Sequence, residues 1–138
     1  MPLSPADAIE RARSALAPHS ADAGAAYRVR RLDLPEGAYF LVLVGKHIAC
    51  IDARTGAMLA SAATSQSSPV SVSSDEALRR AGAQSGSTAE LIWAPGRVSQ
   101  SMFDPVWSVN VGTRTVYVDQ RGRVRNELRE KQPGGGPG

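Results

Sequence analysis

Gly37-Ala-Tyr-Phe-Leu-Val-Leu-Val-Gly45-Lys-His-Ile-Ala-Cys-Ile-Asp52-Ala-Arg-Thr-Gly56 is the stretch from which the fold is read. Two apolar, β-rich runs, 38–44 and 47–52, are separated by Gly45-Lys46. Two residues with glycine first are what a type II′ hairpin turn requires. The first run is apolar throughout, which predicts a central strand covered on both faces. Asp52 to Gly56 then makes a tight corner, and Ala57 to Ala60 is expected as a short last strand.

A looser copy follows at Pro105-Val-Trp-Ser-Val-Asn-Val-Gly112-Thr-Arg-Thr-Val-Tyr-Val-Asp119-Gln-Arg-Gly122. Gly45 and Gly112 lie 67 residues apart, as do Asp52 and Asp119, while Gly56 and Gly122 are separated by 66. The segments before each copy also correspond. Ser4 caps a helix that has Pro5 at its first position and Asp7 in its first turn, and Pro18 ends it. Ser73 or Ser74 caps a second, shorter helix, stopped by Gly82 and Gly86, and Ala8-Ile9 matches Ala77-Leu78 at an offset of 69. Strands are expected at 27–34, with Tyr27 and Val29 on one side and Arg28 and Arg30 on the other, and at 89–93. The paired strands 105–111 and 114–119 follow, then a strand to about Asn126. A unit of roughly 55 residues is too small to bury a good core alone. The predicted fold class is therefore α+β: two tandem α-β-β-β(-β) units forming antiparallel sheet with helices on one face. The units are expected at 1–61 and 73–128, joined by a Ser-rich linker at 62–72 and followed by a disordered tail at 129–138.

Charge is unevenly placed. Residues 1–120 hold eleven basic and eleven acidic side chains, so the net +3 comes from Arg121, Arg123, Arg125, Arg129 and Lys131 set against Glu127 and Glu130. One cysteine, Cys50, excludes an intrachain disulfide and a multi-cysteine metal site. The N-terminus lacks the basic and apolar regions of a signal peptide, and no apolar run approaches the ~20 residues of a membrane span. The expectation is a cytoplasmic protein without membrane contact.

These units resemble the PepSY-like family, whose members have a helix followed by three strands and end in a Tyr-x-Val-Asp-x-x-x-Gly-x-Val signature. Val116-Tyr117-Val118-Asp119-Gln120-Arg121-Gly122-Arg123-Val124 matches it one residue short, and Ala49-Cys50-Ile51-Asp52 through Gly56 to Met58 matches its spacing in full. The resemblance covers about 4–60 and 73–125. It implies a non-catalytic role, often as an inhibitor or propeptide part of a peptidase. Small bacterial immunity proteins that neutralise toxins share a similar short α+β look.

The candidate chemistry is sparse. Strand alternation puts His47 and Cys50 on opposite faces, which breaks a Cys–His pair, and Cys50 among Ile48, Ala49 and Ile51 reads as a small core residue. His19 has no ligand-spaced partner. Asp52 and Asp119 precede glycine corners and read as turn caps rather than metal ligands. No catalytic residue, metal site or cofactor is assigned. The partner-binding residues expected are Arg97, Val98, Met102 and Phe103 in the loop 94–104, with Arg121, Arg123 and Arg125 as a basic stripe on one strand face. The expected function is non-catalytic binding of another protein, a peptidase or toxin, by an inhibitor or immunity-type protein that occludes it. Nucleic-acid or anionic-surface binding through the basic C-terminal strand is the alternative, and steep salt dependence would separate it. The chain is expected to be a monomer, or a homodimer through a sheet edge.

Overall fold

The computed structural model describes residues 3–21, 23–84, 86–94 and 101–126. In chain order the elements are α1 (Pro5–Leu16), β1 (Ala25–Arg31), β2 (Ala38–Val44), β3 (His47–Asp52), β4 (Met58–Ala63), α2 (Ser74–Ala81), β5 (Ala89–Trp93), β6 (Val106–Val111), β7 (Arg114–Val118) and β8 (Val124–Arg125). All eight strands join one sheet, ordered β4-β3-β2-β1-β5-β6-β7-β8. Neighbours run antiparallel except β1 and β5, which are parallel through Arg30–Ile92 and Arg31–Trp93. The protein is thus a mixed α+β fold of two halves, each with one helix and four strands, that meet at the parallel β1–β5 pair. Among the described residues no helix is long and apolar enough to cross a membrane.

Local chemistry sets the boundaries. Ser4 and Asp7 form a reciprocal capping box at the start of α1, and Ser73 Oγ accepts from the Glu76 N–H at 3.1 Å at the start of α2. Gly82, with φ +73°, ends α2 in the left-handed conformation. The two hairpins close at Val44–His47 and Val111–Arg114. Positive φ is confined to their first turn residue, Gly45 at +57° and Gly112 at +64°, the sign pattern of a type II′ turn. Every residue of β2 is buried, as its unbroken apolar run requires.

The helices do not share a face, contrary to the expectation from sequence. Ala8 and Ala12 of α1 pack with Ala38, Phe40, Val42 and Val44 of β2. Ala77 of α2 belongs to the cluster holding Tyr39, Leu41 and Leu43, whose side chains point through the other face of that strand. The cause is the parallel central pair. Building outward from β1 in one direction and from β5 in the other relates the halves by a rotation about the strand axis, and that rotation exchanges the faces.

Three segments also differ in extent. β1 stops at Arg31, and Leu34 to Gly37 makes a turn in which the Gly37 N–H donates to Leu34 O at 3.1 Å. β4 runs to Ala63 because it stays paired with β3 as far as His47. β8 has only two residues, so Arg121 and Arg123 sit in the Asp119 corner and no strand stripe of Arg121, Arg123 and Arg125 forms. The Ser-rich stretch is not a loose linker either. Val70 and Val72 are buried in the larger cluster, and burying each such side chain contributes about 1.5–3 kcal/mol. Gln120 Oε1 accepts from the Ser71 and Val72 N–H groups, and Trp107 Nε1 donates to Val72 O at 2.7 Å. The proposed tail 129–138 lies outside the described residues.

Candidate functional site

Register assigns each side chain to a face, because directly paired residues point the same way and neighbours along a strand alternate. On the α2 face, Val29, Tyr39, Leu41, Leu43, Ile48 and Cys50 continue into Leu91, Trp93, Trp107, Val109 and Val118. Here α2 packs on β5, β6 and β7. The same cluster takes in Val70 and Val72, and half-buried Met102 and Phe103 pack against it. Tyr39 Oη donates to Met102 O at 2.6 Å, and its ring meets Trp93 edge-on at 6.3 Å.

The opposite face is closed over one half only. α1 packs on β1, β2 and β3. Beyond it, no helix among the described residues lies over β5 to β8, and the outward positions turn polar. Ser108 pairs with Tyr117 and Tyr117 with Arg125, while Asn110 pairs with Thr115. Asn110 is exposed, and Ser108, Thr115, Tyr117 and Arg125 are half-buried. Arg28, Arg30 and Glu90 continue the surface across β1 and β5. Ile92 and Val106 form a small buried apolar patch between these polar groups.

Most charges on this platform are held in place. Arg30 grips Glu90 with two hydrogen bonds of 3.0 Å, which lowers the Glu90 pKa from its ordinary value. Both side chains are about half-exposed, so the pair orients more than it stabilises. Arg125 Nε lies 3.5 Å from Asp119 Oδ2. Thr115 Oγ1 donates to Asn110 Oδ1 at 3.1 Å. Arg28 also lines a cleft of about 820 Å³ at the border with α1, floored by Phe40 and flanked by Leu34 and Arg54. Rigid strands thus present one aromatic hydroxyl, small hydroxyl and amide groups and three guanidiniums. This suits recognition by hydrogen bonding and stacking.

Reactive groups are placed elsewhere. Cys50 is fully buried, and burial pushes its thiol up to about 12, away from the thiolate a nucleophile needs. Asp52 Oδ1 accepts from the Arg54 and Thr55 N–H groups at 2.7 and 3.0 Å, and Asp119 Oδ1 from those of Arg121 and Arg123 at 2.9 Å each. Both carboxylates therefore act as corner caps.

The expected partner-binding residues are not brought together. Met102 and Phe103 pack on the α2 face, Arg125 lies on the opposite one, and Arg121 and Arg123 are exposed at the corner. Arg97 and Val98 lie outside the described residues. Sequence reasoning missed Tyr117, Asn110, Arg28 and Arg30 as members of one surface. Alternation marks each as outward-facing, but only the β1–β5 pairing makes them neighbours. It also missed a repeated contact: a Cβ at Gly56 would lie 2.5 Å from the Arg11 guanidinium, and one at Gly122 2.9 Å from that of Arg80. Arg11 and Arg80 are 69 residues apart, the offset of Ala8 and Ala77.

Compared with known proteins, the chain matches no family model, no curated protein and no solved structure at a significant level.

Proposed function

We infer that the protein is a non-catalytic binding module built from two copies of one PepSY-like unit. Its most concrete form is a cytosolic inhibitor or immunity-type protein that covers a peptidase or toxin. The tandem reading is supported by the matched hairpins, the paired aspartate corners and the helix arginine laid on each corner glycine. The binding reading is carried by one observation, the polar platform of Ser108, Asn110, Thr115, Tyr117 and Arg125, over which no helix lies among the described residues. A preformed surface of this kind costs little ordering entropy when it docks, which favours occlusion of a partner's active face. The alternative, a phosphate-binding surface, draws on Arg28, Arg30 and Arg125, but Arg30 and Arg125 already face Glu90 and Asp119.

The test is capture from lysate of the source cell with wild-type chain and with the Tyr117→Glu/Asn110→Arg variant. One co-purifying protein is expected, its activity inhibited by wild-type chain. The variant, folded to the same extent, should bind it at least about tenfold more weakly, as loss of a central aromatic anchor does. Equal capture by both chains would defeat the reading. Retention of nucleic acid alone, released steeply by salt, would replace it with the alternative.

A further inference from the structure

The two edges of the sheet are built differently. β8 has two residues, flanked by Arg123 and ending in Arg125, so it offers little unpaired backbone and a repelling charge. β4 has six residues, Met58-Leu59-Ala60-Ser61-Ala62-Ala63, with no charge and no proline, and five of them are exposed. Among the described residues nothing pairs with its outer side. An edge left so plain is a template for another strand.

We propose that β4 is a self-association edge, and that two copies of this chain pair there antiparallel about Ser61 to extend the sheet through both.

The hydrogen-bond phase and the length of the strand together favour one register. The Thr64 N–H donates to Lys46 O at 2.9 Å, so Thr64 faces β3 and, by alternation, the backbone groups of Ser61 and Ala63 face outward. A two-fold antiparallel pair can be centred on an outward-facing or an inward-facing residue, and the centre at Ser61 is the one that pairs both Ser61 and Ala63 within the strand while keeping 59–63 overlapped. Centring on Ser61 sets Ser61 against its counterpart and Ala60 against Ala62, small against small, while exposed Leu59 meets Ala63. A neutral edge fits its own copy without like charges meeting. The opposite edge decides why the contact closes: head-to-tail pairing of β4 with β8 would grow a filament, and β8 is too short and too basic to accept it. The two-fold axis is perpendicular to the sheet, so both polar platforms face the same way, at opposite ends of the extended sheet. The dimer would therefore be a bivalent binder.

The test is sedimentation velocity of the full chain together with Ser61→Pro and Ser61→Cys. Proline at 61 removes an outward donor without costing a β3–β4 bond. The wild type is expected as a dimer at roughly 50 μM, a concentration that populates an interface of ordinary strength. Ser61→Pro is expected as a folded monomer. Ser61→Cys is expected to oxidise to a covalent dimer at least about tenfold faster than Thr115→Cys, since directly paired strand positions lie within disulfide reach. A monomeric wild type, a dimer that survives Ser61→Pro, or equal oxidation of the two cysteine variants would each overturn the proposal. Should the proline variant fail to fold, the cysteine comparison decides alone.

Discussion

Each half of the sheet has one face under its own helix and one face its helix leaves bare, and the two bare faces are finished differently. In the first half, Tyr39, Leu41, Ile48 and Cys50 are sealed on the α2 face, within the cluster that takes in Val70 and Val72. In the second half, Ser108, Asn110, Thr115 and Tyr117 occupy the corresponding bare side, and among the described residues no helix lies over them. Residue chemistry follows the cover: buried positions are aliphatic or aromatic, open ones carry hydroxyl and amide groups. The difference teaches that the connecting chain, as much as the helices, decides which side of a repeated sheet is core and which is surface.

The largest effect that bears on this comparison is in the sealed half. Tyr39→Ala removes a fully buried ring and is expected to cost about 3–5 kcal/mol, and Leu41→Ala about 2–5 kcal/mol, in urea unfolding. Thr115→Ala on the open face should stay within about 0.5 kcal/mol. Similar losses on both faces would erase the distinction.

A smaller effect sharpens the correspondence between halves. Gly112→Ala meets open space and should cost only the left-handed backbone penalty of about 1–2 kcal/mol. Gly56→Ala and Gly122→Ala carry the same penalty and must also displace Arg11 or Arg80, so each should cost more than Gly112→Ala. Thermal or urea unfolding of the three variants checks the order.

The smallest effect is the acid response of the Asp52 corner. Hydrogen bonds from the Thr55 and Arg54 N–H groups hold its pKa below the ordinary 3.8. A depressed folded pKa means this contribution is fully present above the unfolded value and is lost as pH falls through the folded one. Asp52→Asn should therefore flatten the acid limb of stability below about pH 4 and leave its shape at neutral pH unchanged. An acid limb identical to that of the wild type would show that the corner does not depend on the charge.

Much of this fold was legible in the sequence. The all-apolar run of β2, the glycine-first turns and the serine caps each answer to a local rule, and β2, β3 and β5 have the extents those rules give. What was not legible depends on pairing between distant segments. Nothing local in Tyr27–Arg31 says that β1 runs parallel to β5, and that one pairing sends the helices to opposite faces and gathers Arg28, Arg30 and Glu90 beside Ser108 and Tyr117. The burial of the Ser-rich stretch was hidden for a similar reason. Val70 and Val72 sit in a polar, aperiodic stretch, and their burial rests on Gln120 and Trp107, far along the chain.

Thiol labelling separates the two faces most directly. Cys50 reports on the sealed side and an introduced Thr115→Cys on the open side, both under native conditions with an aromatic disulfide reagent. Cys50 is expected to react at least about a hundredfold more slowly, at a rate set by opening of the fold, while Thr115→Cys reacts as an accessible thiol. Matching rates, whether both fast or both protected, would contradict the division into a sealed and an open face.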